Sequence, residues 1–201
     1  MIGVVDFGMG NLLSVQKALQ QVGCAPRVVR TPEELAESDR LVLPGVGAFG
    51  RAMENLKRRG LLAPLRTACK EGKPLLGICL GLQLLFESSE EHGHHSGLGL
   101  FRGDVRRFPT DLRVPHIGWN QVRITRENPL FDGVPDNAFF YFVQSYYVRP
   151  EDPTLVSGTT DYGITFAAAA GKENVFGVQF HPEKSQQAGL RILANFGRLS
   201  C

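Results

Sequence analysis

"GKPLLGICLGLQLLFE", residues 72–87, changes its pattern in the middle. Pro74 to Ile78 is a continuous apolar run, as a strand buried on both faces requires, whereas Leu82, Leu85 and Phe86 recur at helical spacing. Cys79 falls between the two, with Gly77 two residues before it and Gly81 two after. The stretch therefore predicts a strand, a sharp turn at the cysteine, and a helix. A side chain on such a turn is lifted out of the sheet, and small flanking residues let the two backbones approach. This is the logic of the G-x-S-x-G nucleophile elbow with sulfur in place of oxygen. The helix would bring its positive dipole end and free N–H groups to the sulfur, favouring thiolate over thiol. A buried cysteine also serves as a small hydrophobe, so the elbow needs a base elsewhere in the chain.

Working outward, the first half alternates strands and helices. "IGVVDF" leads through "GMGN" into a helix with Leu12, Val15, Leu19 and Val22 on one face, stopped by Gly23. A strand follows near Arg27 to Arg30. "TPEEL" carries a Thr N-cap, Pro at the first helical position and Glu34 three residues after the cap, which starts a short helix. "RLVLPGVGAFG" reads as a strand ending in a glycine turn, and helical segments run from Phe49 to Glu71 with a break at Gly60. Strands alternating with helices imply a parallel sheet with right-handed crossovers. After residue 92 the texture becomes mostly β, with candidate strands at "GDVRRF", "NQVRIT", "AFFYFVQSYYV", "GITFAAAA" and "NVFGVQF", and a helix closes the chain from Gln187 to Leu199. With no repeat, linker or domain boundary, the expected fold is α/β. A single domain over 1–201 would hold a mostly parallel central sheet flanked by helices, plus antiparallel strands in the second half.

Composition excludes several function classes. A net charge of +2 with dispersed basic residues leaves no nucleic-acid footprint. The longest apolar stretch, Leu75 to Phe86, is too short to cross a bilayer and contains Gln83, and no basic leader precedes "IGVVDF", so a cytoplasmic protein is expected. Cysteines at 24, 69, 79 and 201 form no C-x-x-C pair, which argues against a zinc site or a disulfide framework. His92, His94 and His95 read as a polar glycine-rich loop rather than a metal site, so no metal or cofactor is expected.

The missing base lies in "VFGVQFHPEKS", residues 175–185. An apolar strand ends at His181, and Glu183, two residues on, can reach back to fix the imidazole tautomer and stabilise its charged form. A strand's C-terminal end in an α/β sheet is the rim where such folds bind ligands. For a developing oxyanion, "LPGVGAFG" offers the Gly45–Val46 peptide between freely rotating glycines, and the Leu80 amide at the helix start offers a second N–H.

G-I-C-L-G followed by H-P-E, with P-G-V-G upstream, resembles the class I (triad) glutamine amidotransferases. "DFGMGNLLSV", "LPGVGAFGRAM", "PHIGWNQV", "YFVQSYY" and "FGVQFHPEKS" extend that resemblance from residue 4 to about 196. It implies a flavodoxin-like glutaminase fold and hydrolysis of L-glutamine to glutamate and ammonia through a Cys79 thioester, with His181 as acid and base and Glu183 as its orienting partner. It further implies that Gly47, Gln83 and the backbone around Ser145 and Tyr146 hold the glutamine. Gln83 is four residues past Cys79, on the same side of a helix. The branch these motifs are most similar to passes its ammonia to a (β/α)₈ cyclase subunit in histidine biosynthesis. In that branch the stretches matching Asn11 and Pro115, His116, Trp119 and Asn120 face the cyclase, although burial is the ordinary expectation for a tryptophan such as Trp119.

Two other classes share some of these residues. A cysteine peptidase would use Cys79 and His181 equally well. A dinucleotide-binding module is suggested by Gly8 and Gly10, but the third glycine of G-x-G-x-x-G is Leu13 here.

Overall fold

Apolar runs in the first half form strands, and the helix-patterned segments between them pack on both faces of the resulting sheet. The structure, a computed structural model, describes residues 1–199. In chain order it runs β1 (Ile2–Val5), α1 (Leu12–Gln21), β2 (Pro26–Val29), α2 (Pro32–Ala36), β3 (Arg40–Gly45), α3 (Phe49–Arg58), α4 (Leu62–Lys70), β4 (Leu75–Cys79) and α5 (Leu80–Leu84). There follow β5 (Phe86–Ser89), β6 (His95–Ser96), β7 (Phe101–Arg107), β8 (His116–Ile124), β9 (Ala138–Gln144) and β10 (Tyr146–Pro150). The chain closes with β11 (Val156–Asp161), β12 (Thr165–Lys172), β13 (Val175–Val178) and α6 (Gln186–Arg198).

A nine-stranded sheet has the order β2-β1-β3-β4-β13-β12-β11-β8-β9, and a four-stranded sheet the order β10-β7-β5-β6. From β2 to β13 every pairing is parallel; beyond β13 each is antiparallel. Helices α3 and α4 bury Phe49, Leu56 and Leu65 on one face, while α1 and α6 bury Val15, Leu19, Ile192 and Phe196 on the other, against Phe140, Phe142 and Phe180. No helix among the described residues is long and apolar enough to cross a membrane.

The cap anticipated at the start of α2 forms, and α1 has one that the sequence reading did not name. Thr31 Oγ1 accepts from Glu34 N–H at 3.3 Å and Glu34 Oε2 from Arg30 N–H at 2.6 Å, a reciprocal cap on α2. Asn11 Oδ1 accepts from Ser14 N–H at 3.3 Å at the start of α1.

The second half differs in four places. Helix α5 stops at Leu84, and Phe86 turns into β5, where it pairs with Phe101 and packs edge-on against its ring at 5.6 Å; cross-strand pairing outweighs helical periodicity. "AFFYFVQSYYV" is two strands, not one: the chain breaks at Ser145, with β9 joining the large sheet and β10 the small one. The histidine-rich loop contributes β6, in which His95 pairs with Ser89. Strand β11, rich in Ser, Gly and Thr, was not foreseen.

Candidate active site

The turn between β4 and α5 has the geometry that the glycines predict. Cys79 adopts φ 54° and ψ −108°, a left-handed conformation that costs a non-glycine residue about 1–3 kcal/mol. Gly77 and Gly81 make it possible. A Cβ on Gly81 would lie 1.8 Å from the Leu43 carbonyl oxygen, and one on Gly77 2.6 Å from the Gly81 carbonyl. Gly45, at the end of β3, sits opposite Cys79 in the ladder, and Val46 and Leu80, the residues that follow each strand end, line one cavity with Cys79.

Strand β13 runs beside β4 with Val178 opposite Ile78, and the chain then carries His181 to the same rim. His181 and Glu183 have side chains only 3% and 2% exposed, and Nδ1 lies 2.8 Å from Glu183 Oε1. Burial opposes charge on the imidazole, but the Cys79 sulfur and the Glu183 carboxylate outweigh it and raise the His181 pKa to about 10. With Nδ1 engaged by Glu183, Nε2 is turned to Cys79 without a well-aligned hydrogen bond, a looseness common before substrate arrives. The backbone holding this turn is tightly bonded: His181 N–H donates to Tyr141 O at 2.9 Å, and Ser185 Oγ donates to His181 O at 2.6 Å and accepts from Tyr141 N–H at 3.0 Å.

Beside the sulfur lies a cavity of about 270 Å³ whose lining includes Val46, Gly47, Gln83, Ser145 and Tyr146, all brought together from distant stretches of sequence. Gln83 Nε2 donates to Tyr146 O at 3.1 Å and to Gln179 Oε1 at 3.2 Å. Gln179 was missed by the sequence reading. It is fully buried, and its Nε2 lies 3.6 Å from Cys79 Sγ as a donor. The available signal was one amide inside the otherwise apolar stretch "VFGVQF", residues 175–180. Glu91 was missed too. It is the charged residue of the cavity lining, and its Oε2 accepts from Phe49 N–H at 2.6 Å. Nothing in its acidic surroundings in sequence distinguished it from a solvated residue.

The other cysteines have no such setting. Burial pushes the Cys69 thiol up to about 12 and raises that of Cys24; Cys201 lies outside the described residues. A Gln179→Leu substitution removes the amide donor while keeping bulk, and alkylation of Cys79 by iodoacetamide is expected to slow by roughly tenfold, the value of one hydrogen bond to a charged group. An unchanged rate would show that the amide does nothing for the sulfur.

The residues expected at an interface divide. Asn11 and Pro115 are exposed and Trp119 is 46% exposed, whereas Asn120 is half-buried, its Nδ2 bonded to Asp161 O at 2.8 Å. His116 points inward, 4% exposed and stacked on Tyr162 at 4.0 Å and Phe142 at 5.2 Å, so it does not share the exposed face. The pleat explains this: Ile117 and Trp119 occupy one face of β8, and His116 and Asn120 the other. Ile117 is 59% exposed and Phe139 55%, and with Trp119 and Tyr141 they form an apolar face that the sequence reading had only in part. Among the described residues no three His, Cys, Asp or Glu side chains are grouped to hold a metal ion.

Residues 3–198 match the glutamine amidotransferase class-I family. The chain belongs to that family. As a class-I glutamine amidotransferase, it is 54% identical to "Imidazole glycerol phosphate synthase subunit HisH" of Moorella thermoacetica, over 98% of this chain and 94% of that protein. To the Aquifex aeolicus protein of the same name it is 52% identical, over 97% and 95%. Solved structures share the fold at low identity. One titled "Crystal structure of glutamine amidotransferase" superposes with a TM-score of 0.78 at 19% identity, covering 98% of this chain and 99% of that one. "Structure of PurLQS from Thermotoga maritima" gives 0.79 at 18%, covering 97% and 96%.

Proposed function

We propose that Cys79, His181 and Glu183 are the triad by which this amidotransferase hydrolyses L-glutamine. The chain is the glutaminase subunit of an imidazole glycerol phosphate synthase and serves histidine biosynthesis. The observation that carries the triad is the meeting of a strained cysteine and a buried, Glu-oriented histidine at neighbouring strand ends, beside a cavity lined by Gln83, Ser145 and Tyr146.

In this reading the Cys79 thiolate attacks the side-chain carboxamide carbon, forming the S–C bond while the oxygen becomes an oxyanion facing the Val46 and Leu80 amides. His181 gives its Nε2 proton to the departing nitrogen, the C–N bond breaks, and ammonia leaves. Neutral His181 then takes a proton from water, whose oxygen attacks the thioester and releases glutamate. Glu183 fixes the Nδ1–H tautomer and supports the imidazolium. Gly47, Gln83 and the backbone at Ser145 and Tyr146 hold the substrate, and Glu91 faces its α-ammonium.

Released ammonia needs a consumer, and the exposed Ile117–Trp119–Phe139–Tyr141 face supplies a place for one. A (β/α)₈ cyclase subunit docks there as a heterodimer in the cytoplasm and receives the ammonia. It uses it to form imidazole glycerol phosphate. Pro115, Trp119 and Asn11 belong to that contact, whereas Asn120, on the other face of β8, stands behind it. Glutaminase kinetics with and without the cyclase subunit test the reading: glutamate formation from free glutamine, stimulated by the cyclase, is expected, whereas proteolysis without glutamine turnover would favour a cysteine peptidase.

Exposed aromatics at interface centres typically carry 2 kcal/mol or more, so Trp119→Ala or Phe139→Ala is expected to weaken cyclase binding about thirtyfold. Because both side chains are exposed, the melting temperature of the isolated chain should hardly change. Titration calorimetry against the cyclase measures the first, and an unaltered affinity would move the docking face elsewhere.

A further inference from the structure

Behind the cavity, three buried polar atoms have no protein partner: Oε1 and Nε2 of Gln144 and Nδ1 of His116. Gln144 is 6% exposed and lines the cavity beside Cys79, and His116 is 4% exposed. The two are opposite one another in the β8–β9 ladder. Their Cβ atoms are thus roughly 4.5–5.5 Å apart on one face, yet the side chains do not bond each other. Held between Tyr162 and Phe142, the imidazole is not free to turn elsewhere.

The hydrogen on His116 can be placed. Asn120 Oδ1 accepts from Gln121 N–H at 2.8 Å, which leaves the Asn120 NH₂ group facing Asp161 O at 2.8 Å and His116 Nε2 at 3.4 Å. An NH₂ group only donates, so Nε2 is the acceptor and neutral His116 carries its hydrogen on Nδ1. Burial lowers the His116 pKa and so maintains the neutral ring. Together the two side chains therefore offer an N–H from His116 and both a donor and an acceptor from Gln144, which lines the cavity. An occupant must be small and must own a lone pair. Ammonium has none and would meet two donors, whereas neutral ammonia accepts from His116 Nδ1–H and donates to Gln144 Oε1.

We propose that Gln144 and His116 form a holding site for neutral ammonia, filled as the carboxamide nitrogen leaves the Cys79 cavity. This rests on the glutaminase reading and adds a function to it: the site keeps the product in the unprotonated form that a partner's amination chemistry requires.

The test uses His116→Phe, which keeps ring stacking and loses the N–H, and Gln144→Met, each in complex with the cyclase subunit, measuring glutamate formed per cyclase product. Loss of one neutral hydrogen bond corresponds to about a fivefold drop in occupancy, so the ratio is expected to rise about fivefold in either variant, while turnover with externally supplied ammonia stays coupled to product. An unchanged ratio overturns the proposal. So does a variant that accumulates the glutamyl thioester by mass spectrometry, since the site would then serve the hydrolytic water. For variants that do not fold, the wild-type chain labelled with ¹⁵N-histidine gives the answer: ammonium chloride should shift the His116 Nδ1 signal at alkaline pH and not at acidic pH, and no shift overturns the site. Failure of the underlying reading is recognised separately, as wild-type complex that forms no glutamate.

Discussion

Cys79→Ala is expected to abolish glutamine-dependent turnover, by on the order of 10⁶-fold as when a triad hydrolase loses its nucleophile, while the complex with the cyclase still uses free ammonia. The separation follows from the proposed division of labour, in which amination belongs to the partner and only the C–N cleavage needs the sulfur. Retained glutamate formation would remove Cys79 from the mechanism. The same position makes a second, opposite statement about stability. At φ 54° the residue sits where glycine is at ease, so Cys79→Gly should be as inactive as Cys79→Ala yet recover part of the roughly 1–3 kcal/mol of backbone strain. Denaturant midpoints of the two variants would show it. Equal stability would mean that the elbow is held without strain.

His181→Ala is expected to cost about 10²- to 10⁴-fold in glutaminase turnover, the usual worth of acid–base assistance, and Glu183→Gln less, because it only orients and stabilises. The pH behaviour distinguishes these roles from a purely structural pair. His181 ionises at about 10 in the folded chain against an ordinary value of 6.5. A raised pKa stabilises the fold fully below 6.5, and that contribution is lost as pH climbs through about 10. Removing the Glu183 charge removes one of the causes of the raised value. The stability gap between wild type and Glu183→Gln should thus be widest near the lower end of that window and narrow toward the upper. A gap that widens with pH would mean that Glu183 does not support an imidazolium.

Much of this architecture was legible because a few residues have no alternative. Gly77 and Gly81 are demanded by backbone contacts, and they announced the elbow, while the alternation of strands and helices announced the parallel sheet of the first half. His181 and Glu183 could be named because they follow an apolar strand run and flank Pro182, although β13 itself ends at Val178, three residues earlier than the sequence reading had it. Less visible was anything decided by which face of a strand a residue occupies. Nothing local says that Ser145 breaks one β run between two sheets, or that His116 points inward while its neighbours Pro115 and Ile117 are exposed. Both are set by tertiary pairing. Gln179 and Glu91 escaped for the same reason, since their significance lies in what they approach in space.

The H-P-E-K-S turn also has a bearing on solubility. Strand β9 is the edge of the nine-stranded sheet and carries Phe139 outward, a combination that invites strand-on-strand association. His181 N–H and Ser185 Oγ occupy both backbone groups of Tyr141, so the segment that bears the candidate triad plugs that edge at its midpoint. Loosening the turn, for instance by Ser185→Ala, would leave unpaired backbone beside exposed aromatics, and the harm to a cell could come from aggregates of surplus chain before any shortage of ammonia is felt.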